Sequence, residues 1–129
     1  MVHRFALRVY YEDTDLAGVV YYANYLRFLE RARTEWAREK GVDQVRLLDE
    51  EGIVLAVRRV EANYLRPARF DDLLDVRTEV EGVTGARLVL RQEVWRESQQ
   101  LLTAGVMLAA MDRTGRARRI PARLLGRGT

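Results

Sequence analysis

The sequence predicts an α+β fold in which one long helix packs on a single antiparallel sheet. Three observations carry this. A stretch from about Tyr21 to Lys40 has helical apolar spacing, an alternating strand-like segment precedes it, and four long strand-like segments follow in succession. At 129 residues the chain has the size of one domain with its own core, so a single domain over 1–129 is expected.

The elements follow in order. His3–Tyr10 alternates, with Phe5, Leu7 and Val9 on one face, as a half-buried strand does. In the long helix, Tyr25, Phe28, Leu29, Ala32 and Trp36 form an apolar stripe, with Arg27, Glu30, Arg31, Thr34 and Arg38 opposite. Gly41 suits a left-handed helix stop. A short second helix is expected over Val42–Glu51, ended by Gly52. The strands expected after it are Ile53–Leu65, Leu73–Val83, Ala86–Glu97 and Leu101–Asp112. Leu74, Val76, Thr78 and Val80 alternate clearly with Asp75, Arg77, Glu79 and Glu81, while Ala104–Met111 is an apolar run suited to a buried strand. Gly82–Gly85 and Glu97–Gln100 supply hairpin turns, and Pro67 ends the strand before it. The tail, Arg113–Thr129, is rich in Arg and Gly, and its last few residues are expected to be poorly ordered. One helix covers only one face of a sheet, so a second subunit is expected on the other: a homo-oligomer, dimer or tetramer.

Composition narrows the chemistry. Hydrophobic residues make up 48% and charged residues 32%, which is ordinary for a globular protein. With no Cys there is no thiolate nucleophile, disulfide framework or cysteine zinc site. His3 is the only histidine, which leaves a His-assisted nucleophile or multi-histidine metal site without its parts. Carboxylates, hydroxyls, amides and Arg remain. Of the 22 basic residues only Lys40 is a lysine, and the net charge of +3 is spread along the chain. That suits an anionic small molecule at least as well as a nucleic acid, for which there is no motif and no concentrated basic block. The N-terminus turns charged too early for a signal peptide's apolar core, and no run approaches a membrane span, so the cytoplasm is the expected compartment.

The functional signal concentrates in Val9–Glu35, VYYEDTDLAGVVYYANYLRFLERARTE. Glu12, Asp13 and Asp15 stand just before Gly18 and the helix. A carboxylate at a helix start lies beside unpaired backbone N–H groups and the positive end of the helix dipole. Such a place can bind an anion, polarise a carbonyl or position a nucleophile.

The segment Glu12–Glu35, EDTDLAGVVYYANYLRFLERARTE, resembles the signature of hotdog-fold acyl-CoA thioesterases of the 4-hydroxybenzoyl-CoA thioesterase and YbgC-like, Tol–Pal-associated group. RPARFDDLLDV (Arg66–Val76) and RRIPARL (Arg118–Leu124) are similar to the same group. The resemblance covers essentially the whole chain. It implies a hotdog, in which a curved five-stranded antiparallel sheet wraps the long helix. It also implies an acyl-CoA thioesterase that forms free acid and coenzyme A, with coenzyme A entering only as part of the substrate and no metal or other cofactor. The family's catalytic carboxylate is the second Asp of the D-x-D pair, here Asp15. Many YbgC-like members carry His where this chain has Tyr22; hydroxybenzoyl-type enzymes carry Tyr there.

Asp15 has two chemical routes open: attack on the thioester carbonyl to form a mixed anhydride, or activation of water as general base. As a plain loop residue it would instead tie down nearby amides. Asp13 is expected to shape the loop or pair with an Arg, and Glu12 to face solvent. Tyr22 is either a hydrogen-bond donor to thioester or Asp15, or an aromatic wall. The resemblance implies that Gly18, Val19, Val20 and Tyr21 form the substrate and oxyanion loop, where Gly18 is expected to permit close backbone approach. Asn24 is expected to hold the loop by capping rather than to touch the ligand, and backbone amides at the helix start are expected to stabilise the oxyanion. Arg58, Arg59, Arg87 and Arg91 are candidates for the coenzyme A phosphates, with Arg66 and Arg69 further cations near the same strands. Glu30 is a lesser candidate carboxylate. The alternatives are an acyl-carrier-protein thioesterase and a non-catalytic acyl-CoA-binding module.

Overall fold

The structure, a computed structural model, describes residues 2–125. Strand β1 (His3–Arg8) leads through a short 3₁₀ turn (Tyr11–Asp13) and a loop to helix α1 (Asn24–Glu39) and helix α2 (Gln44–Glu51). Strands β2 (Val54–Tyr64), β3 (Leu73–Thr84), β4 (Arg87–Arg96) and β5 (Gln99–Met111) follow. All pair antiparallel in one five-stranded sheet of order β1-β3-β4-β5-β2. Register shifts at Val57/Arg59 in β2, Val80/Gly82 in β3 and Val94/Trp95 in β4 are bulges, which bend and twist a sheet locally. The bent sheet receives α1 against β1 and β3. This is the hotdog arrangement.

The apolar stripe of α1 sits where its spacing requires. Tyr25, Phe28, Leu29, Ala32 and Trp36 are each at most 3% exposed. They meet Leu74, Val76, Leu88, Leu90, Val94, Leu102 and Val106 from the inner face of the sheet in one core. Two polar side chains are buried among them, Thr78 and Gln92. Gln92 donates from Nε2 to the Leu29 carbonyl (3.1 Å) and Thr78 Oγ1 (2.9 Å), and its Oε1 accepts from Arg33 Nη1 (3.0 Å). A buried polar group is tolerated when its partners are supplied, and here they cross-link helix and sheet.

Several boundaries differ from those read in the sequence. α1 begins at Asn24 rather than about Tyr21, because Val19 and Val20 are drawn into bridges with Arg69 and Thr14, and Tyr21 N–H bonds the Asp13 carbonyl. The apolar residues there look helical by spacing but are held extended by tertiary pairing. α2 begins at Gln44 rather than Val42. Val42 N–H still closes the end of α1 on Ala37, and Asp43 caps α2 by accepting from the N–H groups of Val45 and Arg46. Gly82 belongs to the β3 bulge, and the β3–β4 connection is Gly85–Ala86 alone. The tail folds back: Ile120 and Leu124 are buried, and Ile120 N–H bonds the Gly85 carbonyl. The end of the tail, expected to be poorly ordered, falls at 126–129, outside the described residues.

The face of the sheet away from α1 is polar. Arg4–Asp75, Asp75–Arg77 and Arg91–Glu93 form ion pairs across it, and the Arg77 guanidinium lies 4.3 Å from the Trp95 ring centre. Burial of an apolar outer face therefore supplies no reason for a partner. The edge of β2 does, with Val57 and Val60 exposed and one side of its backbone unpaired.

Candidate functional site

The acidic loop is built from two nested ties. Asp13 is the inner one, only 9% exposed. Its Oδ2 accepts Tyr10 N–H (2.8 Å), and its carbonyl accepts Tyr21 N–H (3.0 Å) and Asn24 Nδ2 (2.9 Å). One residue thereby joins the end of β1 to the start of α1. The outer tie is a tight turn at the tip. Gly18 N–H bonds the Asp15 carbonyl (2.9 Å), Asp15 N–H bonds the Val19 carbonyl (2.9 Å), and Asp15 Oδ1 accepts Ala17 N–H (2.9 Å). Gly18 has φ +80°, and a Cβ added there would meet nothing within 4 Å. Glycine is required for its left-handed backbone, where another residue costs roughly 1 kcal/mol, rather than for the close approach read from the sequence. Asp15 is thus exposed at a fixed position, with one carboxylate oxygen used by the turn and the other without a protein partner among the described residues.

The start of α1 contributes donors. Its N-cap, Ala23, has no side-chain cap, and the N–H groups of Tyr22 and Ala23 have no protein acceptor among the described residues. They follow directly on the strand that the Thr14–Val20 bridge and the bond from Tyr21 N–H to the Asp13 carbonyl fold back along the acidic loop. Unpaired N–H groups at the positive end of a helix suit a negative oxygen.

Beside them opens a cavity of about 270 Å³ lined by Val20, Tyr22, Tyr25, Tyr64, Leu65, Arg66 and Pro67. Tyr64 packs edge-on to Tyr22 (6.2 Å between ring centres, 82°) and tilts against Tyr25 (5.5 Å, 66°). Its O–H donates to the Tyr22 carbonyl at 3.2 Å. Tyr25 is buried, and its hydroxyl oxygen accepts Ala68 N–H at 2.9 Å. Burial raises the pKa of both Tyr25 and Tyr64, and the neighbouring Tyr22 adds to the rise at Tyr64, so both hydroxyls keep their protons at neutral pH. The strap after β2 is pinned by Arg96, which donates to the Pro67 carbonyl (3.2 Å) and to Asp72 Oδ2 (2.7 Å).

Asp15, Gly18, Val19, Val20, Tyr21, Tyr22 and Asn24 therefore lie together on one hairpin and helix start. No hydrogen bond joins Tyr22 to Asp15 among the described residues; the Tyr22 ring stacks on Tyr21 and Tyr64 as a cavity wall. The four coenzyme A arginines are not gathered here within the protomer. Arg59 is ion-paired with Glu61 and precedes Tyr64 by five residues of strand, roughly 16 Å, with Arg58 one residue further. Arg91 is ion-paired on the outer face, and Arg87 begins β4 at the far end of the sheet. At the loop end stand Arg66, which lines the cavity, and Arg69, whose neighbour Val19 bridges to it; neither has an ion pair among the described residues. His3 lies at the other end of α1, its Nε2 3.6 Å from Glu39 Oε2. Glu30 accepts from Thr34 Oγ1 along the exposed side of α1. No group of three or more His, Cys, Asp or Glu is placed to hold a metal among the described residues.

Tyr64, Leu65 and Pro67 were not evident as site residues in the sequence, where only Arg66 of this strap stood out, as a cation. The ring of Tyr64 arrives from a position 42 residues after the carbonyl it touches, and nothing local announces that meeting.

The sequence pattern of the Thioesterase superfamily matches residues 17–103, beginning two residues after Asp15. The acyl-CoA thioesterase YbgC of Haemophilus influenzae is 45% identical over 84% of this chain and 79% of its own length. The acyl-CoA thioester hydrolase YbgC of Escherichia coli O157:H7 is 42% identical over 84% of this chain and 81% of its own. Among solved structures, a probable thioesterase from Bartonella henselae superposes with a TM-score of 0.90 at 40% identity, covering 94% of this chain and 100% of that one. A 4-hydroxybenzoyl CoA thioesterase with an Asp-to-Asn substitution, complexed with 4-hydroxybenzoyl CoA, gives a TM-score of 0.90 at 25% identity over 96% of each chain. By the family match and these identities, the chain belongs to the thioesterase superfamily, in its hotdog-fold, YbgC-like branch.

Proposed function

We propose that this protein is an acyl-CoA thioesterase whose reaction centre is the Asp15 hairpin. The observation that carries this reading is a combination: a carboxylate with one free oxygen, fixed on a tight turn, on the same hairpin that leads into unpaired N–H groups and an aromatic cavity at Tyr22. The close similarity to acyl-CoA thioesterases supports it. The reaction adds water across the acyl C–S bond, releasing the carboxylic acid and the coenzyme A thiol. Asp15 acts either by attacking the carbonyl carbon, so that the thiolate leaves a mixed anhydride that water then opens, or by taking a proton from the attacking water. In both routes the carbonyl oxygen gains negative charge. The N–H groups of Tyr22 and Ala23 would receive it, and one such donor is worth roughly 3 kcal/mol, or 10²–10³ in rate. Tyr22 contributes its ring as a wall and its hydroxyl as a candidate donor to the thioester. Arg66, which lines the cavity, and Arg69, which bridges to Val19, have no ion pair among the described residues and suit the phosphates; Arg58, Arg59, Arg87 and Arg91 would reach them only across a subunit boundary.

The exposed edge of β2 points to a second copy of the chain, and we expect the enzyme to work as a homo-oligomer. Sedimentation equilibrium showing an active monomer would remove the partner from this reading. The activity is tested by following thiol release over a panel of short, long and aromatic acyl-CoAs, beside matched acyl groups on acyl carrier protein. Turnover of the acyl-CoAs is expected. Faster hydrolysis of every carrier-bound partner would move the substrate assignment, and tight binding without product throughout would make the protein an acyl-CoA-binding module.

A further inference from the structure

The cavity at Tyr22 has one wall, from Tyr64 to Pro67, that the hairpin and α1 do not provide. We propose that Tyr64, at the end of β2, is a specificity-determining wall of the acyl site whose bulk disfavours long acyl chains relative to short ones. This rests on the reading of the cavity as the acyl site. Tyr64 is held on two sides, by its edge-on contacts with Tyr22 and Tyr25 and by its hydrogen bond to the Tyr22 carbonyl. The ring cannot swing aside without breaking that bond, so the wall is fixed rather than adaptable. The cavity is about 270 Å³ and open to solvent, with Tyr64 half-exposed on its rim, so the ring is bulk that an acyl chain lying in the cavity must pass. The lining agrees in chemistry, since Val20, Leu65 and Pro67 are apolar and the three tyrosines offer ring edges and faces.

The size limit predicts opposite shifts from opposite substitutions. In the full-length protein, kcat/KM is measured for butyryl-, benzoyl- and decanoyl-CoA. Tyr64→Ala is expected to raise the ratio of decanoyl to butyryl about tenfold or more, and Tyr64→Trp to lower it by a similar factor, since one to a few methylenes discriminate by that amount. Tyr64→Phe keeps the ring but loses the bond that holds it, and is expected to raise the decanoyl-to-butyryl ratio in the same direction as Ala by a smaller factor. The same three substitutions placed on Asp15→Asn are read by equilibrium binding of the same acyl-CoAs, where the same shifts are expected in Kd. A uniform fall for all acyl groups in both Ala and Trp variants would overturn the proposal and leave Tyr64 as a packing residue. So would a Phe variant that shifts preference as far as Ala. Wild-type protein that turns over none of the panel would instead remove the thioesterase reading, and the binding series would still decide whether Tyr64 limits acyl size.

Discussion

Asp15→Asn is expected to abolish thioester hydrolysis and to leave the fold intact. Asn has nearly the same shape, and its side-chain carbonyl can still accept the Ala17 N–H that holds the turn. The free oxygen is what changes: an amide neither attacks a thioester nor takes a proton from water at neutral pH. Loss of a positioned acid–base group lowers rate by 10²–10⁴, and loss of a nucleophile by at least as much. Because Asp15 is exposed and makes no ion pair among the described residues, the stability change should stay within about 0.5 kcal/mol. Steady-state thiol release and a denaturant titration on the same preparation separate the two effects. Near-normal kcat on every accepted thioester would take Asp15 out of the chemistry.

The second large effect is on stability. Phe28→Ala is expected to cost 3–5 kcal/mol, a large share of the 5–15 kcal/mol that a domain of this kind has in total. Phe28 is fully buried at the centre of the α1 stripe, with Tyr25 edge-on at 5.9 Å and the Arg31 guanidinium 6.0 Å from its ring centre. Its neighbours Leu29 and Ala32 are fixed by the same helix and cannot collapse into the space. Urea unfolding should show a lower midpoint at unchanged slope. A loss below about 1 kcal/mol would mean that α1 is not held chiefly by this face. Activity should fall with stability, because the start of the same helix carries the Asn24 tie to Asp13 and the free N–H groups of the site.

Much of this was visible in one dimension. The stripe of α1 is a period of 3.6 and the β3 alternation a period of 2, and each survives intact in the burial of Phe28, Leu29, Leu74 and Val76. Asp15 stood out by resemblance, and its hold on the Ala17 N–H is the tie to nearby amides that a loop Asp makes; Gly18 was read for close backbone approach, whereas its left-handed backbone is what the turn uses. The start of α1 was misread for a non-local reason. Val19 and Val20 continue the apolar spacing, yet Arg69 and Thr14 claim them as extended chain.

Composition and local order therefore determined that this chain packs a long helix on one antiparallel sheet, and that neither a thiolate nor a paired histidine is available to it. Both follow from interactions a few residues long and from the residue types that are absent; the choice of Asp15 came from the resemblance. Only the tertiary structure decided the strand order that sets β2 at an edge, the loop-end position of Arg66 and Arg69, and the place of Tyr64 in the cavity wall. Tyr64 meets Tyr22 and Tyr25 meets Ala68 across more than 40 residues of chain, and such contacts depend on how the sheet bends around the helix, which no local pattern encodes.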